Sequence, residues 1–147
     1  MENLSFKRPS VVISGSFHRD PEGLEWLWRE LEANGCRILS PSAINFIDTS
    51  VEIVKTAHDN GMNIDELEKF HLRAIRDADL IWLHAPDGHI GISTSFEIGF
   101  ALALGKPVFA RTMPDDAMLQ TQITIASSVF QSFRQLAERM TDRSRLH

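Results

Sequence analysis

Short apolar runs alternating with helical periodicities constrain this chain more than any other feature. Ser10-Val11-Val12-Ile13-Ser14, bounded by Pro9 and Gly15, has the pattern of a strand buried on both faces. From Glu22 to Asn34, residues Leu24, Leu27, Trp28 and Leu31 recur at i, i+3, i+4 and i+7. That spacing predicts an amphipathic helix, closed by Gly35. Cys36-Arg37-Ile38-Leu39 reads as a second strand stopped by Pro41. Asn63, with Glu66 three residues on, opens a second helix whose buried stripe is Leu67, Phe70, His71, Ala74 and Ile75. Leu80-Ile81-Trp82-Leu83 is the third strand, and a helix follows from about Ser95 to Leu104. Gly105 and Pro107 stop that helix ahead of a fourth strand, Pro107-Val108-Phe109-Ala110. Ser127 to Phe130 is a candidate fifth strand, before a last helix carrying Phe133, Leu136, Ala137 and Met140 on one face.

Strands that are apolar throughout and separated by helices imply an α/β protein with a central parallel sheet of about five strands. In such sheets ligands bind beyond the carboxyl ends of the strands, near the point where strand order reverses. Three loops leave those ends, at residues 14–21, 40–62 and 84–94, and any active site is expected among them. The sequence shows no repeat, linker or low-complexity tract, so residues 1–147 are expected to form a single domain.

Charge and cysteine content narrow the function. A net charge of −5 argues against a general nucleic-acid surface, though a few local donors suffice for one phosphate. One cysteine, Cys36, excludes an internal disulfide and a cysteine-cluster metal site; its place beside an apolar run reads as a buried structural thiol. No apolar stretch reaches membrane-spanning length and the N-terminus lacks a signal-peptide core, so a cytoplasmic protein is expected. The six histidines follow no zinc spacing, and no metal site is expected.

The segment Gly91 to Phe109 carries the clearest chemistry. It sets Glu97 in the first turn of an otherwise apolar helix, just after the hydroxyl run Ser93-Thr94-Ser95. A helix N-terminus offers free N–H groups to an anion, so Glu97 can face a ligand bound there. The same residues also fit a capping box between Thr94 and Glu97. In the first loop, Gly15 allows close backbone approach, while Ser16, His18 and Arg19 offer donors where an anion could sit. Structurally, Asp20 is an N-cap with Pro21 at the first helical position. The loop lacks the second and third glycines of a dinucleotide fingerprint, so a flavin or dinucleotide cofactor is not expected. Asp87, in a Pro-Asp-Gly turn, is either a turn residue or a second carboxylate for Glu97. His71, on the apolar helix face, reads as a satisfied core residue, and Asp79, at the opposite strand end, as structural. Phe17, Phe46 and Phe96 are candidates for stacking on a base. His58, Asp59 and Asn60 fall in a stretch without a clean period.

Three segments resemble the nucleoside 2-deoxyribosyltransferase family, whose superfamily includes the nucleoside 5′-monophosphate N-glycosidases. They are Ser14-Gly15-Ser16-Phe17, then Ala74 to Ile81, then Phe96-Glu97-Ile98-Gly99-Phe100-Ala101 through Gly105-Lys106-Pro107-Val108. The likeness spans residues from about 10 to about 110 in order. It implies a three-layer flavodoxin-like or Rossmann-like fold and a homodimer or higher homo-oligomer in which a neighbour completes the site. It also implies Glu97 as nucleophile on the anomeric carbon of the sugar. Sugar and phosphate contacts are implied from the loop Ser14 to Arg19 (Gly15, Ser16, Phe17, His18 and Arg19), and 5′-end contacts from Gly91 to Ser95, including Ser93. Two positions depart from the family. Gly91 stands where its transferases usually carry an aspartate, and the chain has no tyrosine, Phe17 lying near the family's tyrosine position.

Together the residues and the resemblance lead to one expectation: cleavage or transfer at the N-glycosidic bond of a nucleoside or nucleoside 5′-monophosphate, without a cofactor. A carboxylate suits that chemistry because the transition state is oxocarbenium-like and can be trapped as a covalent glycosyl-enzyme. Asp87 or His89 is the expected acid for the departing base. The alternative is a non-catalytic nucleotide-binding module on the same fold.

Overall fold

The structure is a computed structural model that describes residues 8–46, 55, 56, 59 and 61–145. Five strands form one sheet: β1 (Ser10–Gly15), β2 (Arg37–Ser40), β3 (Leu80–His84), β4 (Val108–Ala110) and β5 (Thr124–Ile125). Their order across the sheet is β2-β1-β3-β4-β5 and every pairing is parallel, the flavodoxin-like doubly wound arrangement. Among the described residues five α-helices surround it: α1 (Pro21–Ala33), α2 (Ile64–Asp77), α3 (Ile92–Ala103), α4 (Ala117–Gln120) and α5 (Val129–Arg145).

The period-2 alternation of the central strands splits the core in two. Val12, Ile81, Leu83 and Val108 face one way, against Ile75 of α2 and Ile98 of α3. Val11, Ile13, Leu80, Trp82 and Phe109 face the other, against Leu24, Leu27 and Leu31 of α1 and Val129 of α5. Each of the larger fully buried side chains contributes on the order of 1.5–3 kcal/mol of transfer free energy, so these two layers hold the sheet and fix its strand ends.

Local chemistry sets the helix starts. Asp20 caps α1 by accepting from the Gly23 N–H, with Pro21 at the first position; Asn63 caps α2 by accepting from the Glu66 N–H. Asp79 accepts from the Ser10 N–H at 2.8 Å, a structural bond at the strand end remote from the cleft. Cys36 is buried, and burial pushes its thiol up to about 12, which keeps it unreactive.

Two elements differ from expectation. Helix α3 begins at Ile92, not Ser95, with Gly91 as an extended N-cap residue that makes no side-chain cap. Thr94 is therefore inside the helix, Glu97 falls in the second turn, and the capping box does not form. The fifth strand is Thr124–Ile125, not Ser127–Phe130, because Val129 begins α5 and is fully buried in the core beneath it. Of the segment without a clean period, His58 and Asn60 lie outside the described residues. Among the described residues, no helix is long and apolar enough to cross a membrane.

Candidate active site

The strand order reverses between β1 and β3, and a broad cleft of about 990 Å³ opens beyond their carboxyl ends. Its floor begins at Gly15, the last residue of β1, whose backbone has φ +150° and passes so close to His84 that a Cβ would overlap the His84 carbonyl. Only glycine fits there. The loop that follows is pinned from below: the Ser16 N–H donates to His84 O at 3.3 Å, and His84 Nε2 bonds Arg19 O at 3.0 Å. Burial holds the His84 imidazole below its ordinary value, against the opposing pull of Arg19 O and Asp20, so the ring serves as a neutral donor.

Glu97 projects from the second turn of α3 into the cleft floor and is only 8% exposed. Its Oε1 accepts a hydrogen bond from Ser14 Oγ at 3.1 Å and lies 3.3 Å from His71 Nε2. Burial pushes the carboxyl up. The hydrogen bond and charge of His71, then bonds from Glu68 and Ser14, outweigh burial and hold Glu97 below the usual carboxylate range. Its neighbour Glu68, half-buried on α2, goes the other way. Burial, followed by the charge of Glu97 and a hydrogen bond to it, raises Glu68 to about 7, with His71 opposing. The two carboxyls are thus pushed in opposite directions, Glu97 toward the ionised form and Glu68 toward the protonated one.

The cleft gathers Gly15, Ser16, Phe17, His18 and Arg19 of the first loop with His89, Gly91 and Ser93 of the third, all around Glu97. Ser93 and Thr94 lie in the first turn of α3, where backbone N–H groups have no intrahelical partner. Phe17 stacks on Phe46 with ring centroids 5.7 Å apart, forming an aromatic wall. His18 Nδ1 is buried without a hydrogen-bond partner beside the cleft.

Two residues singled out from the sequence stand apart. Asp87 is exposed at φ +55° in a 3-10 turn over Pro86–Gly88 and does not line the cleft. Ser95 is exposed on the outside of the helix and turns its hydroxyl back to Gly91 O. Conversely, Glu68, His71 and Ser40 line the cleft without having been singled out for chemistry. His71 is buried with both ring nitrogens satisfied, as expected, and the groups that satisfy them, Ser14 and Ser40, stand at the cleft floor. Their signal was a carboxylate and an imidazole three residues apart, both turned toward the packed side of α2. No cluster of metal-ligating side chains occurs among the described residues.

No family model matches this sequence, and no curated protein matches it. Among solved structures, the CMP N-glycosidase BcmB of Clostridium botulinum aligns with a TM-score of 0.54 at 18% identity, covering 88% of this chain and 98% of that one. Likeness at that identity establishes a shared α/β fold.

Proposed function

We propose that this chain cleaves the N-glycosidic bond of a nucleoside 5′-monophosphate, with Glu97 as nucleophile and Glu68 as the proton donor. The observation that carries the reading is the unequal carboxyl pair at the cleft floor: Glu97 held ionised, Glu68 held near pH 7. The fold shared with a CMP N-glycosidase and the resemblance to nucleoside 2-deoxyribosyltransferases point to the same bond.

Because Ser14 and His71 occupy Oε1, attack comes from Oε2 of Glu97. An O–C bond forms at the anomeric carbon as the C–N bond to the base breaks, and the base leaves with the proton from Glu68. The glycosyl ester then meets water, whose proton returns to Glu68 as the sugar is released. A second base in place of water gives transfer. Arg19, Ser16 and the free N–H groups at Ser93 and Thr94 suit the 5′-phosphate, and the Phe17–Phe46 wall suits the base. Glu68 takes the acid role in place of Asp87 because it stands beside Glu97, whereas Asp87 lies outside the cleft.

Residues 1–147 act as one domain in this reading, and a cytoplasmic location suits a nucleotide substrate. The cleft rim also supports assembly into a homodimer or higher homo-oligomer. Ile92 (88% exposed), Phe96 (58%), Ile64 (60%) and Phe70 (39%) leave it apolar and open, a surface that a second copy would cover.

The test is base release, followed by chromatography, from ribo- and deoxynucleosides and their 5′-monophosphates, each with and without a second free base. Release without acceptor makes the protein a hydrolase, and exchange only with acceptor makes it a transferase. Folded protein that binds a monophosphate without releasing base would instead establish the binding module.

A further inference from the structure

The cleft floor contains a buried chain of polar contacts that crosses from β2 to α3. Ser40 Oγ lies 2.6 Å from His71 Nδ1, His71 Nε2 lies 2.9 Å from Ser14 Oγ, and Ser14 Oγ donates to Glu97 Oε1 at 3.1 Å. Ser14 has no exposure, Ser40 3%, and His71 and Glu97 8% each, so bulk water does not substitute for these partners. The direction of the bonds follows from counting protons. An ionised carboxylate only accepts, so the one proton of the Ser14 hydroxyl goes to Glu97. Ser14 Oγ must then accept from His71, which requires the hydrogen on Nε2. Ser40 is left to hold Nδ1, donating to it when the ring is neutral and accepting from it when the ring is an imidazolium.

We infer that Ser40 and His71 are positioning residues for Glu97: through Ser14 they form a one-way chain of donated hydrogen bonds that ends on its carboxylate and keeps it an unprotonated acceptor. This rests on the reading of Glu97 as nucleophile. Ser40 touches no reacting atom; its hydroxyl satisfies Nδ1 and so holds the ring at the angle from which Nε2 reaches Ser14 and Glu97. Without Ser40 the Nδ1 atom is buried with no partner, the ring loses the contact that holds its angle, and the bonds it sends to Ser14 and Glu97 weaken. The titratable groups around Glu97 are Glu68 and His71 from α2, with His18, Arg19, His89 and Asp59 lining the same cleft. Strand β1 supplies the neutral Ser14, and β4 presents only Val108, Phe109 and Ala110.

Two readouts test the inference. Nitrogen-15 NMR of the histidine rings in the full chain reports the tautomer without turnover: in the native protein the neutral His71 ring carries its hydrogen on Nε2. A neutral ring carrying its hydrogen on Nδ1 overturns the inference. In kinetics, Ser40→Ala lowers kcat about tenfold with KM within about twofold, and moves the acid limb of kcat/KM up by about one pH unit. Ser40→Thr, which keeps a hydroxyl, restores both. An unmoved acid limb in a Ser40→Ala protein that melts like the native one also overturns the inference. If Glu97→Gln retains turnover, the nucleophile reading fails by itself, and the tautomer of His71 still decides whether the chain runs as stated.

Discussion

Replacing Glu68 with glutamine gives a test of the site that needs no substrate. The Glu68 carboxyl is raised from 4.5 to about 7, first by burial and then by the charge of Glu97. A raised carboxyl contributes stability that is fully present below its unfolded value and is lost as pH rises through the folded one. The window is therefore pH 4.5 to about 7. Unscreened linkage across that rise comes to roughly 3 kcal/mol at one pKa unit per ~1.4 kcal/mol. Glu68 is only half-buried at the wall of an open cleft, so solvent screening reduces this to about 1 kcal/mol. Glutamine keeps the shape and does not ionise. Glu68→Gln should thus gain about 1 kcal/mol on the native protein between pH 4.5 and 8, an upward shift in relative Tm of about 3 °C for a chain of this size. The assay is thermal melting of both proteins at the two pH values. Near pH 4.5 the curves should sit close together, and at pH 8 the variant should melt higher. An offset of the same size at both pH values would refute the placement of a proton on Glu68.

Glu97→Gln should abolish base release while the fold persists, checked by chromatography alongside melting. Base release by the native protein should follow a bell: it falls as pH rises through about 7, where Glu68 loses the proton it donates, and falls again below the ordinary carboxylate range, where Glu97 gains one. Arg19→Ala should raise KM for nucleoside 5′-monophosphates about tenfold and leave that for nucleosides unchanged, a comparison made on paired substrates. Asp87→Asn, at a left-handed position that asparagine tolerates, should leave turnover within about twofold, and a larger loss would bring Asp87 back as the acid. Gly15→Ala should destabilise by ~3 kcal/mol or more, read by denaturant unfolding, because its Cβ meets the His84 carbonyl.

The sheet was legible because a parallel sheet covered on both faces requires strands that are apolar throughout, and the 10–14 and 80–83 runs carry that requirement openly. Asp20 and Asn63 were legible for a similar reason, since a side chain that caps acts on amides two or three residues away. Errors came where local chemistry was ambiguous. The hydroxyls of residues 93–95 look like caps, yet packing buries Thr94 and starts α3 at Ile92, which carries Glu97 one turn deeper. A two-residue strand such as Thr124–Ile125 is too short to leave a periodicity, whereas Val129 was apolar enough to draw the expected strand onto the start of α5.

What the sequence determined by itself was the layer architecture and the strand-end loops that border the cleft, with Glu97 on the helix after the third of them. Those features depend on local spacing. Only the tertiary structure decided the partners of Glu97. Ser14, Ser40, Glu68 and His71 come from β1, β2 and α2, and meet because the strand order reverses between β1 and β3. Hydrogen bonds and pKa shifts act over a few ångströms of space, not of chain. The sequence therefore shows that His71 lies on the packed face of its helix, and only the fold shows that it meets Ser14, 57 residues away.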